Sequence, residues 1–147
     1  MKTMGHVATS LIAGGILYKF THSSAAFLWV LIIGIFIDLD HYIDYVREIG
    51  VGFNPKKIYS TCKYGTIYFK KLTLALHSYE LMIILWIAIF IFDLNIVWKC
   101  AAISFSLHLF IDQIANPVMP LTYFFLFRMA NHFETKKIFI THNQGGV

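Results

Sequence analysis

Apolar residues gather into four runs along the chain, Val7–Phe20, Ala25–Asp38, Leu72–Phe92 and Asn95–Ile114. A helix that crosses a bilayer needs about 20 residues, with a range of roughly 17–25. The third and fourth runs reach that length. The first two reach it only if their polar ends, His6 and Asp40-His41, lie inside the protein at membrane depth, where polar groups face the bundle interior. Lys19–Ser24 supplies the first turn, and Asp93-Leu94-Asn95 supplies the turn between the third and fourth runs. The pattern predicts an all-α integral membrane protein. It would be a four-helix transmembrane bundle in one domain over 1–147, with helices near 7–20, 25–45, 72–92 and 95–115.

The stretch 46–71 breaks this pattern. It holds Gly50, Gly52, Pro55 and Gly65, six basic residues from Arg47 to Lys71, and several tyrosines. Pro55 is suited to open a short amphipathic helix with Ile58, Tyr59 and Cys62 on one side, lying in the membrane interface over the bundle. The C-terminal tail 121–147 is apolar over Leu121–Phe127 and polar from Arg128 to Lys137, too interrupted for a fifth span, with a frayed end at Thr141–Val147. No cleavage pattern follows the first apolar run, which reads as a retained helix.

Composition identifies the solvent. The chain is 58% hydrophobic and 14% charged, with mean hydropathy +0.66; soluble domains carry about 25% charged residues. Burying so much apolar surface in water would leave large exposed patches, whereas lipid accepts it directly. The net charge of +4 is modest, and the basic residues cluster in loops. That distribution orients a membrane protein rather than binding nucleic acid. Ten basic residues (Lys2, Arg47, Lys56, Lys57, Lys63, Lys70, Lys71, Arg128, Lys136, Lys137) fall on one side and two (Lys19, Lys99) on the other. The positive-inside rule then makes the N- and C-termini cytoplasmic in a multi-pass inner-membrane protein. Cys62 and Cys100 lie in different segments, form no metal or redox motif, and read as free thiols.

On this topology the few acidic and imidazole side chains become informative. His6 opens the first helix, Asp38, Asp40 and His41 close the second, His77 and Glu80 open the third, and His108 and Asp112 close the fourth. All fall at the cytoplasmic end. Asp38 and His41 are three apart, His77 and Glu80 three, and His108 and Asp112 four, offsets that share a helical face. Facing helices can gather such pairs around metal, as in carboxylate-bridged bundles. Imidazole nitrogen and carboxylate oxygen suit zinc, with manganese as the alternative. Four carboxylates and four imidazoles (His6, Asp38, Asp40, His41, His77, Glu80, His108, Asp112) are donors enough for two or three divalent ions. Two adjacent ions would activate water and clamp a phosphoryl group. Asp40 or Glu80 would orient the water or accept its proton, and Lys70, Lys71 and Arg128 would contact the substrate anion. His22, His132 and His142 read as solvated, and Asp44 and Asp93 as interfacial.

At these residues the chain resembles the bacterial membrane-bound metal-dependent hydrolase family that includes a small SOS-regulated inner-membrane protein. The matching elements, in order, are Gly5-His6, Asp38-Leu39-Asp40-His41, His77-Ser78, and His108-Leu109-Phe110-Ile111-Asp112 followed by Asn116-Pro117. Where the family carries His-Arg-Gly ahead of its His-Ser, this chain has Leu72-Thr73-Leu74. The resemblance implies hydrolysis, and a more distant likeness in ligand pattern is to zinc-dependent phospholipase C. A membrane lipid or lipid-linked phosphoester is the substrate class that follows. A competing reading keeps the ions and drops the chemistry: a metal-binding or metal-transporting membrane protein. A third makes the polar residues a structural network joining the helices.

Overall fold

A computed structural model of the chain describes residues 3–50, 70–138 and 140. The expected interfacial helix at Pro55 and the end of the tail lie outside these residues. The described residues form helices joined by turns, with no named strand; Lys71 and Glu134 make one isolated antiparallel bridge. The fold is all-α.

The helices are α1 (Thr3–Thr21), α2 (Ser24–Phe36), α3 (Leu39–Ile49), α4 (Tyr79–Ile91), α5 (Ile96–Ala115), α6 (Phe125–Ala130) and α7 (Thr135–Ile138). Their starts follow local chemistry. The Ser23 hydroxyl accepts from Ala26 N, Ser78 from Leu81 N, and Asn95 from Val97 N, each satisfying an amide that a helix start would otherwise leave open. Asp93, at φ 43, turns the chain between α4 and α5.

Helices α1, α2 and α5 pack on one another, and α4 lies against α5. Small residues allow the close approach: Ala26, Ala101, Ala102, Ser10 and Ser104 are buried. At Gly34 an added Cβ would collide with the Ser10 hydroxyl, so glycine is required where α1 crosses α2. Ser104 Oγ donates to Val30 O at 2.9 Å, tying α5 to α2. The outward faces are apolar, with Ile12, Phe20, Phe36, Ile84, Phe90, Phe110 and Ile114 all exposed.

Two departures from the sequence pattern matter. The stretch expected as one helix over 25–45 is divided by a turn at Ile37-Asp38 into α2 and α3. Helix α4 begins at Tyr79 rather than near 72, because residues 72–78 are drawn off the helix axis by side chains of α3. Asp44 accepts from Thr73 N at 2.7 Å and Leu74 N at 2.8 Å, Asp40 accepts from Leu76 N at 2.9 Å, and Leu74 sits at φ 44. Helix α4 is therefore 13 residues long, a rise of about 20 Å against the roughly 30 Å of a bilayer core. Taken through its turn, Ser24–Glu48 (25 residues) is the one helix among the described residues long and apolar enough to cross a membrane; Tyr79–Ile91 is apolar but shorter. Among the described residues one candidate span is shown, and the four-span bundle stays an expectation from the sequence.

The chain after α5 folds back as a cap. Leu72 N donates to Phe133 O, Thr135 N to Lys70 O, and Met119 N to Ile138 O, laying the tail along the 70–78 segment. Tyr45, Leu72, Leu74 and Ile138 form the apolar core beneath it.

Candidate metal centre

Five elements converge at the end of the bundle under this cap. Helix α1 supplies His6, the α2–α3 turn supplies Asp38, α3 supplies His41, the segment before α4 supplies His77, and α5 supplies His108 and Asp112. Asp38 occupies the N-cap position of α3 but makes no side-chain cap bond. Its carboxylate faces the imidazoles instead of the helix amides it would ordinarily serve.

Ring nitrogens and carboxylate oxygens crowd a small volume. His6 Nε2 lies 3.0 Å from Asp112 Oδ1, and His77 Nε2 lies 3.3 Å from Asp112 Oδ2. Asp38 Oδ1 is 3.5 Å from both His77 Nε2 and His108 Nε2, and 3.9 Å from His41 Nε2. The His6 and His108 rings stack at 4.1 Å between centroids. Two ligand sets result, His6–Asp38–His108–Asp112 and Asp38–His41–His77, and Asp38 belongs to both. His6, His77, His108 and Asp112 are buried. Asp38 (21% exposed) and His41 (32%) form the open side.

The far nitrogens decide what the near ones are. His108 Nδ1 is 3.1 Å from Gly34 O, an acceptor only, so Nδ1 must carry the proton. His77 Nδ1 is 3.0 Å from both Asp40 oxygens and donates to that carboxylate. In the neutral rings this leaves a lone pair on each Nε2, and those two atoms face each other at 3.3 Å. Two acceptors at that separation, with carboxylate oxygens around them, are matched by a shared positive charge, either a proton on one ring or a metal ion. The outer partners, a carbonyl and a carboxylate on the second ring nitrogen, are those that orient metal-binding histidines. By this chemistry the donor set fits a divalent metal ion.

The remaining sequence-predicted residues do other work. Asp40 is buried and accepts from Leu76 N, His77 N and His77 Nδ1, so it orients a ligand from behind. Glu80 does not join either ligand set. Its oxygens accept from Phe125 N at 2.8 Å, Leu126 N at 3.0 Å and Ser78 Oγ at 2.7 Å, which caps α6. Where the sequence suggested a ligand or proton acceptor, the structure engages the Glu80 carboxylate in three hydrogen bonds and leaves it outside both ligand sets. Arg128, expected to contact the substrate anion, is fully buried and donates to the carbonyls of His77, Leu74 and Thr122. Burial lowers the pKa of its guanidinium, and the carboxylates of Asp40, Glu80 and Asp44 oppose that shift. Lys70 and Lys71 stand exposed on the segment that carries His77.

Asp44, read from sequence as an interfacial residue, is buried and holds the 72–78 segment through Thr73 and Leu74. Its position four residues after Asp40, on the same face of α3, was the available signal. The backbone carbonyl of Gly34 left no sequence signal. No family model, no curated protein and no solved structure matches the chain.

Proposed function

We propose that this chain is a membrane-embedded, metal-dependent hydrolase that cleaves a phosphoester of a lipid or lipid-linked substrate. The reading rests on one observation: the Nε2 atoms of His77 and His108 oppose each other at 3.3 Å while both Nδ1 atoms are committed to acceptors. His6, His108, Asp112 and Asp38 would hold one ion, and Asp38, His41 and His77 a second, with zinc the metal best matched to mixed imidazole and carboxylate donors. When bound, such ions supply a water activated at neutral pH and positive charge for a phosphoryl group.

The chain's own residues define how a substrate meets that centre. Asp38 and His41 are the exposed members, so a phosphate arrives from their side. Leu39 and Ile43, both exposed on α3, lie two positions either side of His41 and so on a different face from that opening, where they suit a lipid environment. Lys70 and Lys71 draw an anion toward the opening. Asp40 holds the His77 ring and makes it a stronger donor. The apolar outer faces of α1, α2, α4 and α5 support a bilayer location, and the distribution of basic residues supports a multi-pass topology with cytoplasmic termini. The motif resemblance supports hydrolysis.

The test is purification in detergent, metal analysis, and phosphate release from phospholipid and polyprenyl phosphates. Wild type should carry zinc and release phosphate, and Asp38→Asn and His108→Ala should lose both. Protein that holds no metal and ignores chelators ends the reading.

A further inference from the structure

Arg128 is the largest fully buried side chain among the described residues. Burying a guanidinium is costly unless its donors and its charge are met. Here both Nη groups donate to backbone, while the buried Nε has no hydrogen-bond partner. Nη1 donates to His77 O at 2.8 Å and to Thr122 O at 3.0 Å, and Nη2 donates to Leu74 O at 2.9 Å. The guanidinium also lies 5.7 Å from the Phe125 ring centroid. Leu74 and His77 bracket a tight turn closed by His77 N to Leu74 O at 3.1 Å. This turn belongs to neither helix nor strand, so no ladder of hydrogen bonds fixes it.

What fixes it is a pair of opposite charges acting from two sides. Asp40 takes the His77 amide, and Arg128 takes the His77 carbonyl. The peptide units before and after His77 are both held, and the ring itself is held through Nδ1 by Asp40. The geometry points to Arg128 as a positioning residue for the metal centre, which pins the Leu74–His77 turn so that His77 Nε2 faces Asp38, Asp112 and His108. This inference rests on the metal-centre reading above. Lysine cannot replace it: a single ammonium on a flexible stem does not reproduce a planar fork that spans three carbonyls.

The experiment uses the full chain in detergent and compares wild type, His77→Ala, Arg128→Lys, Arg128→Met and Ile138→Ala. Zinc affinity is measured by competition with a chromophoric chelator, coordination by the visible spectrum of the cobalt(II) form, and folding by circular dichroism. His77→Ala marks the share of binding that depends on His77. Arg128→Lys should weaken that same share about tenfold or more, the usual cost of losing an outer partner of a metal ligand. It should also shift the cobalt spectrum toward that of His77→Ala. Ile138→Ala loosens the cap core, including its packing on Leu74, but removes no hydrogen bond from the Leu74–His77 turn, and should lower thermal stability while leaving the spectrum unchanged. If Arg128→Met does not fold, Arg128→Lys decides alone. Wild-type affinity and spectrum in Arg128→Lys, or a spectrum changed equally in Ile138→Ala, overturns the positioning role. Wild type that binds neither zinc nor cobalt overturns the metal centre itself.

Discussion

Five carboxylates approach the same end of the bundle, and their hydrogen bonds sort them into two kinds. Asp38 and Asp112 face imidazole Nε2 atoms, whereas Asp40, Asp44 and Glu80 accept backbone amides, with Asp40 also taking His77 Nδ1. Asp40→Asn keeps an oxygen for the amides of Leu76 and His77 but loses the charge behind His77. It should lower zinc affinity about 10–100-fold with the fold intact, read by chelator competition. Glu80→Gln should leave zinc affinity at the wild-type level and cost about 1 kcal/mol of stability through a weaker cap on α6, read by denaturant titration. A larger loss of zinc in Glu80→Gln than in Asp40→Asn would reverse these roles. The pairing of His108 with Asp112 was legible in sequence, because a four-residue offset within one helix fixes two side chains on one face. The roles of Asp40 and Glu80 were not. They depend on where residues 72–77 and 125–126 return in space, and helical spacing says nothing of that.

Between elements, the crossing of α1 on α2 is set by one missing side chain. The Gly34 carbonyl orients His108, and its Cα faces the Ser10 hydroxyl. Gly34→Ala should push α1 outward and destabilise the protein by about 1–3 kcal/mol through overpacking. Adding Ser10→Ala should recover part of that loss by removing the hydroxyl, although the Cβ of residue 10 stays 2.9 Å from the added methyl. Thermal melts of the two single variants and the double variant measure the coupling, and strict additivity would argue against a shared contact. Element starts at Ser23, Ser78 and Asn95 are written locally, as capping residues ahead of apolar runs. The turn at Ile37-Asp38 and the loss of the first two turns expected of α4 are not. Both arise where side chains from other helices outbid the local tendency of an apolar run to stay helical, as Asp44 does at Thr73 and Leu74.

For the molecule as a whole, donors from three helices, the α2–α3 turn and the segment before α4 would make a bound ion a cross-link. Zinc at a thousandfold excess over its dissociation constant contributes about 4 kcal/mol to the folded state, so chelation should lower the melting temperature by roughly 10 °C. Differential scanning fluorimetry in detergent, with and without chelator, reads this directly, and an unchanged melt counts against a bound metal. The described ligands also run from His6 near the start of the chain to Asp112 at the close of α5. During synthesis, then, the first imidazole leaves the ribosome long before its last carboxylate partner. The ligand set is complete only once α5 has been made, and a chain ending in α4 lacks both His108 and Asp112.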